Sequence, residues 1–274
     1  MKTYINISNV IRKKNPRLYK MLPKFVLSYL KKIIHEDDLN ADLRILENLT
    51  TRQKFRTFLK HRNFKVEVHG TSNIPKQGRF IFTSNHPLGG LDGIVFYDTV
   101  VELFSQTKFL VNDILMNIPG VEDCFLPINK HGANSREYIK KIDAACLSDE
   151  QILMFPAGVV SRKINGVVQD LPWIKTCVTF AKKYKRDIIP VYISGKNSNF
   201  FYNLANLRKR MGIHVNIEMF FLVNELYKYE NRSISITFGK PISYKTFDNA
   251  KNPKEWAAYL REQTYLLAEN ENER

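Results

Sequence analysis

The sequence predicts an α/β protein with a mixed, mostly parallel sheet covered by helices and an N-terminal helical segment. From Phe64 onward, short apolar runs typical of strands alternate with stretches of helical periodicity. Residues 1–62 are basic and show helical periodicity. A chain of 274 residues, 44% of them hydrophobic and 25% charged, can bury a sizeable core. We therefore expect a basic, membrane-associating helical segment at 1–62 and an α/β domain at 63–274.

The N-terminal segment carries apolar residues at helical spacing across 18–38, with Pro23 able to start or break a turn. One apolar face would contain Leu27, Leu30, Ile33 and Ile34, flanked by Lys24, Lys31 and Lys32. This face could pack on its own domain, as surface helices usually do. Alternatively it could lie in a membrane interface with its lysines at lipid phosphates, and different faces could do both.

The α/β part is predicted element by element. Residues 65–68 alternate like an edge strand, 70–78 form a turn, and 80–83 form a buried strand. Further strands are expected at 108–111, 125–128, 152–155, 188–193 and 233–238. Helices are expected at 94–103, 134–147 (capped by Asn134 or Ser135), 176–185 and 256–268.

The charge balance is strongly basic. Forty-two Lys and Arg against 27 Asp and Glu leave a net charge of +15, which points to a polyanionic partner such as an anionic membrane, phosphorylated ligands or nucleic acid. The sequence contains no signal-peptide pattern and no apolar run long enough to cross a bilayer. We therefore expect a peripheral protein on the cytoplasmic face of the inner membrane.

The three cysteines, Cys124, Cys146 and Cys177, are widely spaced and odd in number. They form no zinc-type pattern, so neither a disulfide framework nor a metal site is predicted. They fit a reducing compartment as small core residues.

The stretch SNHPLGGLDG, residues 84–93, places His86 and Asp92 six positions apart directly after the predicted buried strand. Pro87, Gly89 and Gly90 lie between them and favour a turn. A turn that brings the carboxylate onto the imidazole would create a general base for a hydroxyl or amine attacking an acyl carbon. In the alternative interpretation, the two side chains never meet.

Three further blocks follow along the chain: FLPINK at 125–130, FPAGVVSRK at 155–163 and IIPV at 188–191. In this order and spacing, the four blocks resemble the glycerolipid acyltransferase family, typified by 1-acylglycerol-3-phosphate acyltransferases. The resemblance covers about residues 64–242. It implies an acyl-CoA or acyl carrier protein donor, a lipid acceptor and no further cofactor.

The blocks also depart from the family pattern. Asp92 lies one residue farther from His86 than usual, an insertion that the two glycines make physically easy. Ala157 replaces a glutamate, Val160 replaces an arginine, and Lys130 stands where an arginine is usual. Because these blocks are associated with a phosphorylated glycerol acceptor in the family, their changes disfavour that acceptor.

Together the departures resemble a bacterial branch that makes amino-acid-containing lipids. There the acceptor would be the hydroxyl of an N-(3-hydroxyacyl) amino acid such as glycine, ornithine or serine-glycine. The stretch GKNSNFFYNLANLRKR, residues 195–210, is similar to the same branch.

The resemblance implies roles for individual residues. His86 would act as general base and Asp92 would stabilise the imidazolium, with no acyl-enzyme because no GxSxG elbow is present. Backbone amides near Gly158 could stabilise the oxyanion, or this glycine could serve packing. The predicted substrate-binding set is Asn85, Lys130, Phe155, Pro156, Gly158, Ser161, Arg162 and Lys163. Asn85 could also hold the loop by hydrogen bonds to the backbone, and the basic residues could simply be solvated.

Two functional alternatives remain open at this point. One keeps the chemistry and uses 1-acylglycerol-3-phosphate as the acceptor. The other is a non-catalytic protein that binds a polyanion or nucleic acid. Its only support is the run of aromatic residues at 200–202 beside the basic run at 208–210, so no nucleic-acid partner is expected.

Overall fold

The computed structural model describes residues 3–112, 116, 120–128 and 135–272. Within these ranges the helices are α1 Ile7–Lys14, α2 Pro16–Met21, α3 Lys24–Ile33, α4 Glu36–Leu46, α5 Thr51–His61, α6 Gly90–Leu103, α7 Arg136–Leu147, α8 Thr176–Tyr184, α9 Asn199–Arg210, α10 Leu222–Tyr227 and α11 Pro253–Asn272. The strands are β1 Lys65–His69, β2 Phe80–Ser84, β3 Thr107–Asn112, β4 Phe125–Ile128, β5 Gln151–Met154, β6 Arg162–Ile164, β7 Val167–Gln169, β8 Asp187–Ile193 and β9 Ser233–Phe238.

Seven strands form one sheet in the order β1-β9-β8-β2-β5-β3-β4. All neighbouring pairs are parallel except β8 with β9. The central strands β2, β5 and β8 are almost entirely buried, as expected where helices cover both faces. The predicted α/β class is confirmed, and β1 lies at an edge of the sheet as its alternating sequence indicates.

Two apolar layers cover the sheet, because alternate residues of each strand point to opposite faces. On one face, α5 and α6 pack against Phe82 and Ile189 of the central strands. On the other, α7, α8 and α11 pack against Ile81 and Ile188.

The N-terminal segment consists of five helices, and the predicted boundary at 62/63 falls between α5 and β1. The α3 face that contains Leu27, Leu30, Ile33 and Ile34 is partly or fully buried. The segment is tied to the rest of the protein by the buried carboxylate of Asp42, which accepts hydrogen bonds from Arg62 Nε at 2.9 Å and Tyr227 Oη at 2.6 Å. Over the described ranges, no helix has the length and apolar character needed to cross a membrane.

Several elements differ from the sequence-based expectation, among them α10, which was not predicted. Helix α6 begins at Gly90, four residues before the predicted start. The hairpin of β6 and β7 and helix α9 were not predicted. For α7, Ser135 provides the cap by accepting from the Tyr138 N–H at 3.1 Å; the alternative cap, Asn134, lies outside the described residues.

The order of the strands sets the position of the site. β2 pairs in parallel with both β5 and β8, so their carboxyl ends meet at one edge. The loops that leave these strands after Ser84, Met154 and Ile193 therefore converge there, which is where open α/β sheets place their ligand sites.

Candidate active site

Asn85 fastens the first loop to the neighbouring strand β8. Its side-chain oxygen accepts from the Ile193 N–H at 2.7 Å, and its amide nitrogen donates to the Ile193 carbonyl at 2.8 Å. Both ends of this buried amide are occupied by the backbone. These contacts agree with the predicted holding role of Asn85, and its substrate-binding role stays a prediction.

His86 and Asp92 are in direct contact. The distance from Nδ1 of His86 to Oδ2 of Asp92 is 2.9 Å. This bond places a proton on Nδ1 and leaves the lone pair on Nε2. Among the described residues, Nε2 has no hydrogen-bond partner, and the His86 side chain is 16% exposed. The ring can therefore accept a proton from a bound molecule.

The Asp92 carboxylate is fully buried and surrounded by donors. Oδ2 also accepts from the N–H groups of Leu88 at 2.7 Å and Gly89 at 3.2 Å, and Oδ1 accepts from the Gly93 N–H at 2.8 Å. Asp92 lies in the first turn of α6, where free N–H groups and the helix dipole favour a negative charge. These same bonds explain the early start of the helix.

Gly89 accommodates the extra residue of this loop. Its backbone φ of +89° lies in a region that residues with a side chain rarely adopt. A Cβ placed there would lie 2.9 Å from Leu222 Cδ2 of α10. The turn that brings Asp92 back to His86 therefore depends on a glycine at this position.

Phe155 supports the imidazole from one side. The rings of Phe155 and His86 are stacked with centroids 3.9 Å apart and planes inclined by 13°. Phe155 in turn packs against the rings of Phe96 and Phe109. Phe155 therefore packs against one face of the His86 ring and is itself held in place by neighbouring rings.

The loop that follows β5 holds the backbone of His86. The Ser161 N–H donates to the His86 carbonyl at 2.7 Å, and the His86 N–H donates to Oδ1 of Asp170 at 3.2 Å. The Ser161 hydroxyl lies 2.5 Å from the same Asp170 oxygen. Ser161 is buried and its hydroxyl bonds to Asp170, so it holds the loop, and its substrate contact stays a prediction. Asp170 was missed because it lies 84 positions from His86 and belongs to no recognised block.

Arg162 is paired within the protein. Its Nη2 donates to Oε1 of Glu218 at 3.0 Å and its Nη1 to the Val160 carbonyl at 2.8 Å. Arg208 Nε donates to the other Glu218 oxygen at 2.8 Å, and Glu218 is fully buried. The substrate role of Arg162 stays a prediction, and in the structure its guanidinium is paired with Glu218, a residue that the sequence did not reveal.

The other predicted substrate-binding residues differ in burial and in their contacts. Pro156 is buried and accepts from the Ile174 N–H, and the Gly158 N–H closes a turn on the Phe155 carbonyl at 2.9 Å. The predicted oxyanion role of backbone amides near Gly158 stays a prediction. Lys163 is half-buried, and its Nζ lies 3.4 Å from Oδ1 of Asn199. Lys130 lies outside the described residues.

Comparison with known proteins identifies the family. The acyltransferase family model matches residues 9–273, nearly the whole chain. The chain belongs to the acyltransferase family. A lyso-glycine lipid O-acyltransferase from Bacteroides thetaiotaomicron is 43% identical over 96% of this chain and 97% of its own length. Another from Phocaeicola vulgatus is 41% identical over 96% and 95%. Among solved structures, the 1-acyl-sn-glycerophosphate acyltransferase PlsC from Thermotoga maritima matches with a TM-score of 0.49 and 18% identity over 98% of this chain and 93% of that chain.

These matches confirm the resemblance to the acyltransferases and to the amino-acid-lipid branch. The protein is an enzyme, an acyltransferase, so the non-catalytic alternative is wrong.

The cysteines of this acyltransferase are buried core residues. Burial raises the pKa of Cys146 to about 11 and that of Cys177 to about 12, and it raises the pKa of Cys124 above its usual range. A buried, protonated thiol is a poor nucleophile. The three thiols are therefore poorly suited to carry an acyl group.

Proposed function

We propose that this acyltransferase transfers a fatty acyl group from an acyl thioester to the hydroxyl of an N-(3-hydroxyacyl) amino acid, with glycine as the favoured amino acid. The observation that carries the proposal is the pair His86–Asp92, whose Nε2 is open to a bound hydroxyl. The two lyso-glycine lipid O-acyltransferases that are more than 40% identical to this chain support the acceptor class. So does the replacement of the family's glutamate and arginine by Ala157 and Val160.

In the proposed mechanism, Nε2 of His86 takes the proton of the acceptor hydroxyl as its oxygen attacks the thioester carbonyl. Asp92 stabilises the imidazolium that forms. When the tetrahedral intermediate collapses, the carbon–sulfur bond breaks and the proton passes from Nε2 to the departing sulfur. The products are an ester and a free thiol of coenzyme A or acyl carrier protein.

The acceptor carboxylate requires a cation near this site. Arg162 is held by Glu218, but Lys163 follows it directly and lies two positions after Ser161, which touches His86. Within the described part of the chain, the contact of its ammonium is the long one to Asn199, so it can reorient toward a carboxylate. We propose Lys163 as the carboxylate ligand, and Lys130 of the second block stays a predicted second one.

The proposed membrane contact lies on a different face of α3 from the buried one. Phe25 and Tyr29, one turn apart on α3, are 74% and 52% exposed, and Met21 at the end of α2 is 78% exposed. The basic residues beside this stripe are Lys20, Lys24 and Lys32. An exposed apolar stripe with flanking lysines suits the interface of an anionic bilayer, here the cytoplasmic face of the inner membrane.

A similar stripe lies on α9, where Phe200, Leu207 and Met211 are exposed at i, i+7 and i+11. Helix α10, which comes after α9 in the chain, packs against the catalytic loop, since Leu222 lies against Gly89 and Leu226 against Gly90. A bilayer on these stripes would bring the lipid acceptor close to the loop that carries His86.

The test is an acyl-transfer assay with the purified protein, detected by mass spectrometry of the lipid product. Acceptors are N-(3-hydroxyacyl)glycine, its methyl ester and 1-acylglycerol-3-phosphate, and donors are palmitoyl-CoA and palmitoyl carrier protein. We expect acylation of the first acceptor, a higher KM for the ester, and a fall in kcat of about 10²–10⁴ for His86→Ala.

Two outcomes would contradict the proposal. Preferential acylation of 1-acylglycerol-3-phosphate would reject the amino-acid acceptor and keep the chemistry. Full activity of a folded His86→Ala variant would reject His86 as the base. A matched variant for the lysine is Lys163→Met, with the exposed Lys175→Met as control; only the first should lose the preference for the free carboxylate over the ester.

A further inference from the structure

The carboxylate of Asp170 is the buried group closest to the catalytic histidine that the mechanism does not yet use. It is 1% exposed and receives three donors: the His86 N–H at 3.2 Å, the Ser161 hydroxyl at 2.5 Å and the Trp173 indole N–H at 2.8 Å. Burial raises the pKa of the Asp170 carboxyl, and hydrogen bonds from Ser161, Trp173 and the His86 backbone oppose the rise. A buried carboxylate surrounded by donors is a rigid anchor.

Asp170 is itself held by the last helix. Its N–H donates to Tyr265 Oη at 2.8 Å, and its carbonyl accepts from Arg261 Nη2 at 2.9 Å, both residues of α11. The backbone of His86 is therefore fixed from both sides, its N–H by Asp170 and its carbonyl by Ser161. Fixing both groups sets the direction of the Cα–Cβ bond and hence where the imidazole points.

We propose that Asp170 is a positioning residue for the acyl transfer: it orients His86 through the backbone N–H of the histidine. Through its contact with Ser161, Asp170 also places a carboxylate beside the loop that follows β5. In that loop, Ala157 stands at the position of the family's glutamate. The inference rests on the proposed role of His86 as the base.

The arrangement of donors predicts why an amide cannot replace this carboxylate. One oxygen faces the His86 N–H and the Ser161 hydroxyl, and the other faces the Trp173 N–H. Both backbone and indole groups can only donate. In Asp170→Asn, the side-chain NH₂ must therefore face a buried donor on one side or the other. Even with the amide oxygen toward His86 and Ser161, the NH₂ faces the buried Trp173 N–H, and this repulsion displaces the side chain from the His86 N–H.

This conflict gives a rescue experiment. Trp173→Phe removes the indole donor, so in the double variant Asp170→Asn/Trp173→Phe the amide oxygen can face His86 and Ser161 while its NH₂ faces a ring. We expect Asp170→Asn to lower kcat by about 10–100-fold through misplacement of the imidazole, with the acceptor KM within about threefold of the wild type. Trp173→Phe alone should keep kcat within about threefold.

The decisive result is the double variant. We expect its kcat to return to within about fivefold of Trp173→Phe, with all variants assayed well below their thermal unfolding midpoints. If the double variant is folded but no more active than Asp170→Asn, or if Asp170→Asn keeps wild-type kcat, the inference is overturned. If Asp170→Asn does not fold, Asp170→Ala/Trp173→Phe takes its place. It leaves the His86 N–H without its side-chain acceptor, so a folded form with the kcat of Trp173→Phe would overturn the inference.

His86→Ala in the same assay separates this inference from the proposed function. Full activity of that variant would reject the proposed role of His86 as the base, whatever the Asp170 variants show. A strong loss in His86→Ala combined with wild-type activity in Asp170→Asn would reject only the positioning role.

Discussion

Asp92→Asn tests how much of the catalysis comes from the negative charge beside His86. The replacement keeps the size of the side chain. With its amide oxygen toward His86, it still accepts from Nδ1 and from the Leu88 and Gly89 N–H groups, while the NH₂ group meets only the Gly93 N–H. The tautomer is therefore retained, and the main loss is the charge.

The size of that loss follows from the 2.9 Å contact. Two full charges at this distance attract by about 6 kcal/mol at an effective dielectric constant of about 20. If about half a positive charge has developed on the ring in the transition state, the loss is about 3 kcal/mol. This corresponds to a roughly 100-fold fall in kcat.

The assay is steady-state acyl transfer at saturating acceptor, with thermal unfolding followed by circular dichroism. Asp98→Asn is the matched control on the same helix: its carboxylate pairs with Arg56 at 3.2 Å and it has no contact with His86 among the described residues. We expect kcat of the control to stay within about threefold of the wild type. A folded Asp92→Asn variant with wild-type kcat would refute the assignment of Asp92 as the group that stabilises the imidazolium.

Three further predictions concern the supports of the site. Gly89→Ala should lower the unfolding free energy by about 1–3 kcal/mol, because its positive φ is strained and its Cβ meets Leu222; thermal melting measures this. Asn85→Ala should lower it by about 1–3 kcal/mol for each Ile193 backbone group left unpaired, seen as a lower urea midpoint. Glu218→Gln should cost about 3–5 kcal/mol, because two largely buried arginines lose their counter-charge; an unchanged urea midpoint would contradict this.

The sequence predicted what depends on local pattern. The strands around His86 and the turn toward Asp92 follow from apolar runs and glycines within about ten residues. The missed β6–β7 hairpin also had a local signal, since Asn165 and Gly166 both have positive φ and Asn-Gly is the preferred pair for such a turn.

The supports of the site could not be predicted in the same way. Asp170 reaches the His86 N–H across 84 positions, and Glu218 reaches Arg162 across 56. Such contacts depend on how strands and helices assemble, and a single sequence contains no pattern at that range. The sequence therefore predicts Arg162 of the third block as a substrate ligand but does not reveal its pairing with a distant carboxylate, Glu218.

The attachment of Asn85 to Ile193 has a consequence for dynamics. A side-chain amide here continues the β2–β8 ladder one step beyond the strands, so the peptide that precedes His86 moves with the most buried part of the sheet. The Ile193 N–H should then exchange with deuterium only through opening of that central unit, far more slowly than the loop amides around it. Motions that admit substrates would have to come from the helices around the site, while the proposed base stays fixed to the sheet.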